Sequence, residues 1–304
     1  MSDETNLPAA NPLRGVFWMV VTGLLFVGVI ALVKWLGTRV PAPQAAFLRY
    51  GFGLVVFLPV LRPLLRLRPG RRIWALFAVR GAMHSMGVAL WFFAMARITI
   101  ADVTAMGYLA PVYVTLGAAV FLGERLAVRR LLAVAAALVG ALIILRPGFR
   151  EIEQGHVAML FTALFFGASY LMAKPLVQAC SAAQVVAVLS VTVTIGLAPL
   201  AAANWVTPSW GELAILACVA VVASTGHYTM MLAFRAAPLA VTQPVTFLQL
   251  VWAVALGALV FGEPLDPWVV AGGMVIVASV SFISFREAQL KRRTLTPPVP
   301  ATKV

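Results

Sequence analysis

Two arginines and two histidines stand at positions in this chain where charge is costly. Arg80, His84, Gly87 and Trp91 recur at i, i+4, i+7 and i+11, which places them on one face of a helix. Ser224, His227, Tyr228 and Met231 share a face in a later segment. Thr104, Tyr108, Pro111 and Thr115 form a polar stripe, and Thr242, Thr246 and Gln249 form another. Arg49 lies about six residues inside the end of its apolar segment and Arg80 about seven inside its own, deeper than a snorkelling side chain easily reaches. Asp102, Glu124, Glu263 and Asp266 all sit at segment ends, so no carboxylate lies at this depth. If the stripes meet, they line a cavity of positive and hydrogen-bonding groups. Such a cavity favours anionic or zwitterionic, carboxylate-bearing solutes, because an unpaired guanidinium in a low dielectric is strongly unfavourable. Arg49 or Arg80 would clamp a carboxylate bidentately, and Trp91, Tyr108, Tyr228 and Trp252 would stack on a flat or apolar portion. The plainer reading makes His84, Gln249 and the threonines hydrogen-bond partners that hold membrane helices together.

The elements that position these residues follow from composition. Of 304 residues 62% are hydrophobic and only 11% charged, whereas soluble domains run near half apolar and about a quarter charged. A water-soluble enzyme is excluded, since the fold could not cover its own surface with polar groups. Ten apolar runs, each near the length that spans a bilayer, cover about 15–37, 43–61, 73–95, 101–122, 130–146, 155–176, 184–203, 210–233, 239–261 and 267–285. Short connections carry breakers such as Pro41, Pro43, Pro63, Pro69, Pro147 and Pro264. Asp3 and Glu4 precede a long first run, so a cleavable signal peptide is not expected. With the N-terminus inside, the inner ends collect sixteen basic residues and the outer ends only Arg39, Arg97, Arg146 and Arg150. The net charge of +13 therefore reads as orientation, with both termini cytoplasmic, and not as a nucleic-acid surface. Lys34, three residues from the outer end of its run, is expected to snorkel. The basic, proline-rich tail after Phe285 reads as disordered.

The two halves repeat at an offset of 139–140 residues. Gly15, Thr22, Lys34 and Leu36 match Gly155, Thr162, Lys174 and Leu176, and Pro59 matches Pro199. The segment Phe121 to Leu126 matches Val260 to Leu265, each with a Gly-Glu closing the fourth helix of its half. Five spans per half is an odd number, so the second copy is expected upside down, as in alternating-access transporters with a midplane site. Glu124 and Glu263 are expected to act as structural clasps on the next helix's first N–H groups, or in gating.

On these residues the chain resembles the ten-helix EamA type of the drug/metabolite transporter superfamily. The marks are Gly123-Glu124 and Gly262-Glu263, Arg49, and the stretch Gly226-His227-Tyr228 through Ala233 to Pro238, continued by Pro244 and Gln249 to Trp252. The resemblance covers about residues 14–287. It implies an all-α integral membrane fold of ten helices in two inverted five-helix repeats, 14–148 and 152–287, with a tail at 288–304. It also implies that the third, fourth, eighth and ninth helices surround the solute. The subgroup it points to includes riboflavin and S-adenosylmethionine uptake carriers and opine-type metallophore exporters. Arg49 matches Leu189 in the second half, so its role is not symmetric.

Competing chemistries lack their residues. There is no Gly-rich phosphate loop with Lys-Ser/Thr, the three histidines have no metal spacing, and no Asp/Asp or Ser/Lys pair suits a membrane-embedded enzyme. Cys180 and Cys218 exclude a thiolate cluster and fall at different depths, so they should not pair. The expectation is a bacterial inner-membrane carrier without cofactor, metal or nucleic-acid partner, working by alternating access in the lipid bilayer; a homodimer stays open. The expected solute is a small anionic or zwitterionic amino-acid-derived metabolite, exported, for example an opine-type metallophore. Uptake of riboflavin or S-adenosylmethionine is the alternative, the latter disfavoured by its sulfonium charge. The sixteen-to-four bias predicts that a reporter active only outside the cytoplasm, fused after Val304, will be silent; activity there would reverse the orientation.

Overall fold

The computed structural model describes residues 12–61, 70–122, 128–149, 151–180, 182–237 and 244–295, and every regular element among them is helical. Helices α1 (Pro12–Leu36), α2 (Ala42–Leu61) and α3 (Arg71–Met95) are followed by a pair, α4 (Ile100–Gly107) and α5 (Ala110–Leu122). Next come α6 (Val128–Leu145), α7 (Gln154–Ala179), α8 (Ala182–Ala203) and α9 (Trp210–Ala236). A 3-10 turn (Pro244–Phe247) leads into α10 (Leu248–Phe261), and α11 (Pro267–Leu295) completes the chain. Six stretches are long and apolar enough to cross a membrane, and Leu131–Leu145, Leu248–Phe261 and Pro267–Ile283 are shorter apolar helices. Large apolar side chains such as Trp35, Val120 and Leu259 lie open on the outside of the bundle, where lipid rather than water is the compatible solvent.

The described part of each run expected from the sequence falls on a helix; the ninth opens with the 3-10 turn at Pro244, residues 239–243 lying outside the described residues, and two further runs differ. The fourth run is not continuous: it breaks at Tyr108 and Leu109. Pro111 lacks an N–H and its ring crowds the carbonyl four residues back, at Gly107, which ends α4 there. The last run continues past Phe285 to Leu295, so the first part of the expected disordered tail is helical; residues 296–304 lie outside the described residues.

The halves pack crosswise. The first helix of each half lies against the third of the other (α1 on α9, α7 on α3). The second helices pair (α2 with α8), and so do the fifth (α6 with α11). Matching residues do matching work. A side chain at Gly15 would strike Ala237 just beyond α9, and one at its counterpart Gly155 would strike Ile98 just beyond α3. The Thr22 and Thr229 hydroxyls are 2.8 Å apart, and the counterpart Thr162 donates to the Gly87 carbonyl at 3.4 Å. At the α6–α11 crossing a Cβ on Gly140 would stand 2.8 Å from the Gly272 carbonyl oxygen, and one on Gly272 would stand 2.5 Å from that of Gly140. Such glycines let two backbones touch, and packing of this kind holds helices together where lipid removes the hydrophobic drive.

Gly272→Ala should therefore lower stability by about 1–3 kcal/mol, read as a lower melting temperature in detergent. Gly51→Ala, a helical position with nothing within 4 Å of the added carbon, should not.

Candidate functional site

Six of the nine residues expected to face a solute line one cavity of about 280 Å³ at the centre of the bundle. Arg49 comes from α2, His84 and Trp91 from α3, Tyr108 from the break after α4, His227 from α9 and Gln249 from α10. The α3 face works as its spacing predicts. The break also has a use: Tyr108, freed from helical geometry, donates its hydroxyl to the Thr246 carbonyl at 2.9 Å. That bond joins the two irregular stretches, one from each half, at the cavity wall. Thr242, from the same expected stripe, lies outside the described residues.

The histidines are anchored. His84 Nδ1 sits 3.2 Å from the hydroxyl of buried Ser169. His227 Nδ1 is 2.8 Å from the Ala223 carbonyl. A carbonyl can only accept, so this nitrogen carries the proton in that bond. The Arg49 guanidinium lies over the Tyr50 ring at 4.1 Å, a cation–π arrangement. Among the described residues, none that lines the cavity is acidic.

The remaining wall is mainly apolar and includes five aromatic residues that were not among the expected ones, Phe26, Tyr50, Phe92, Phe166 and Tyr170. Phe166 is the centre of this set: its ring centroid is 4.9 Å from that of His84, 6.2 Å from Trp91 and 6.3 Å from Tyr170. Gly87 makes this possible, since a Cβ there would lie 2.7 Å from the Phe166 ring. Phe26 meets His227 edge-on at 5.1 Å. The available signal was Thr162, Phe166 and Tyr170, a stripe at i, i+4 and i+8 on α7.

Three expected residues do not line the cavity. Tyr228 is 64% exposed and points out of the bundle; it adjoins His227, and neighbours on a helix lie on different faces. Trp252 packs at the edge of the main apolar core instead. Arg80 is buried one turn below His84 and is absent from the cavity wall.

Beyond the cavity, the end of the bundle that carries Gly37 is closed by polar contacts. Lys34 Nζ bonds Glu263 at 2.6 Å and also donates to the Ile98 carbonyl at 2.8 Å. The Glu263 carboxylate accepts the Ile100 N–H at 3.0 Å, at the start of α4. Arg146 pairs with Asp266 and Arg39 with Glu212. His156, fully buried, stands 3.3 Å from Asp102.

Residues 13–146 and 153–285 each match the profile of the EamA-like transporter family. The chain belongs to that family. Among its relatives are a riboflavin transporter of Rhizobium johnstonii, 31% identical, covering 96% of this chain and 98% of that one, and a pseudopaline exporter of Pseudomonas aeruginosa, 27% identical over 89% and 95%. An S-adenosylmethionine uptake transporter of Rickettsia conorii is 23% identical over 92% and 96%. This EamA chain is accordingly a multi-pass membrane transporter of the drug/metabolite superfamily, and the relatives reported are themselves named transporters.

Two expectations about its ends need correction. Lys34 is not a free snorkelling side chain but half of an ion pair, because crosswise packing brings the end of α10 beside α1. Glu263 clasps α4 of the other repeat rather than the next helix, whose first turn is served by Asp266 through the Trp268 N–H at 2.9 Å. Glu124 lies outside the described residues. A double-mutant cycle of Lys34→Met and Glu263→Gln should give a coupling of about 0.5–3 kcal/mol in thermal unfolding of this EamA protein; additive losses would deny the pair any energetic role.

Proposed function

We propose that this chain is an alternating-access carrier of the bacterial inner membrane, both termini cytoplasmic, built from two inverted five-helix halves. Its solute is a small, flat, ring-bearing metabolite with hydrogen-bond acceptors at its edge, of the flavin class. The observation that carries this reading is the cavity: Phe166, Tyr170, Trp91 and Tyr50 supply ring faces, while Arg49, His84 and His227 supply polar contacts without an opposing carboxylate. Its volume of about 280 Å³ suits one small metabolite. The reciprocal packing of α1 on α9 and α7 on α3 is what a two-fold relation between inverted halves would produce. The match to riboflavin transporters over nearly the whole chain supports the same class.

A second reading, export of an amino-acid-derived carboxylate, is favoured by Arg49 in the cavity wall and by the likeness to a pseudopaline exporter. A sulfonium solute is disfavoured, since it would meet Arg49 and no carboxylate. Direction of movement follows the solute gradient unless an ion is coupled.

Purified protein in liposomes should exchange labelled riboflavin without changing it chemically. Phe166→Ala and Trp91→Ala should each slow that exchange about tenfold, the size expected for loss of one aromatic contact. If riboflavin does not move but an amino-acid-derived carboxylate does, with Arg49→Gln abolishing it, the second reading replaces the first.

A further inference from the structure

Arg80 is the one deep cation of the sequence that the cavity does not use. Its residue is only 6% exposed, on α3 one turn before His84. Side chains on a helix lean toward its N-terminus, so the guanidinium lies between the cavity and the Gly70 end of the bundle. Below it Phe77, Leu176, Val185 and Val188 form a small separate apolar cluster. Above it stand Tyr50 and Tyr170, both lining the cavity and both within electrostatic reach of the guanidinium.

Among the described residues, no hydrogen-bond acceptor reaches its Nε or Nη1. His84, which itself lies near Arg49 and His227, is within electrostatic reach of it, and among the described residues no carboxylate is. Every carboxylate whose side chain is described (Asp102, Glu151, Glu153, Glu212, Glu263 and Asp266) belongs to loops or helix starts at the Gly37 end. A buried guanidinium with unmet donors is strongly unfavourable in a membrane interior, and a planar oxyanion is the group that best matches its donors.

We propose that Arg80 forms a second subsite, beneath the ring-lined cavity, that takes an oxyanion group, a carboxylate or a phosphate, of those transported solutes that carry one; riboflavin itself carries neither and would use the ring contacts alone. In an anion-bearing solute the ring portion stays against Tyr50 and Tyr170 while the anionic end reaches past them. The subsite adds to the carrier reading but depends on a different atom set, so it stands or falls separately from the ring contacts.

The test uses the full chain purified in an uncharged maltoside detergent, with thermal unfolding followed as inorganic phosphate replaces chloride at constant ionic strength. Phosphate should raise the melting temperature of the unmodified chain and of Arg97→Gln, whose guanidinium lies over the Phe93 ring outside the cavity. In Arg80→Gln the apparent affinity for phosphate should fall at least about tenfold. Removing a buried unmatched charge should leave Arg80→Gln no less stable in chloride; should it fail to fold, Arg80→Lys is expected to bind phosphate with intermediate affinity.

No phosphate response in the unmodified chain would overturn the subsite. So would an undiminished response in Arg80→Gln or Arg80→Lys, or one lost in Arg97→Gln. Phosphatidylglycerol in place of phosphate separates a lipid headgroup from a solute: a stabilisation by that lipid that disappears in Arg80→Gln would assign the site to the bilayer and refute the proposal. Loss of riboflavin exchange in liposomes with the phosphate response intact would strike the flavin reading and leave the subsite standing.

Discussion

The absence of water from the bilayer interior is the constraint on which the rest of this structure depends. A helix that shows Trp35, Val120 or Leu259 to its surroundings needs an apolar solvent, and in that solvent each polar group must find its partner within the protein. Hydroxyls therefore turn back onto their own helices, as Thr104 does to the Ile100 carbonyl at 2.8 Å and Ser279 to Val275 at 2.8 Å. Among the described residues two places stand out: the Gly37 end, where charges meet in pairs, and the central cavity with Arg80 below it. The second place is the solute site proposed here, because its described wall carries Arg49, His84 and His227 and no carboxylate.

The same constraint explains the crosswise packing. Lipid competes well for apolar helix faces, so helices hold one another through close backbone contact and a few hydrogen bonds. Gly140 against Gly272, Gly15 against Ala237 and Gly155 against Ile98 each join one half to the other. Neither repeat is a free-standing domain in the usual sense, since the first helix of each finds its main neighbour in the opposite copy. The cavity lies where the copies interlock, and the Tyr108–Thr246 bond sews the two irregular fourth spans together across it. In the alternating-access carrier proposed here, movement of one half relative to the other would act on that cavity directly.

Charge is sorted along the bundle as well. At the Gly37 end Lys34, Arg39 and Arg146 each face a carboxylate, and Glu263 also holds the first turn of α4. In the middle there are cations and imidazoles with aromatic rings between them. A ring face can hold a guanidinium, as Tyr50 does for Arg49, without neutralising it. The interior thus carries the donors that the proposed acceptor-rich or anionic solute would meet, while the Gly37 end is closed by bonds within the protein.

Much of this could be read from the chain alone. Hydropathy located the helices, helical periodicity put His84 with Trp91, and Tyr108, His227 and Gln249, on polar faces, depth singled out Arg49, and the family resemblance implied that the faces meet; the matched Gly15/Gly155 and Thr22/Thr162 positions proved to make equivalent contacts across the halves. Periodicity is a property of local spacing, which a helix converts directly into faces. Tertiary structure alone decided that Phe26, Tyr50, Phe166 and Tyr170 complete the cavity, that Lys34 meets Glu263, and that Tyr228 and Arg80 stand outside the wall. Each of those outcomes depends on how far one helix is turned about its axis and which helix of the other half it touches. Both are set by close glycine contacts distant in sequence, so periodicity within a single helix could not supply them.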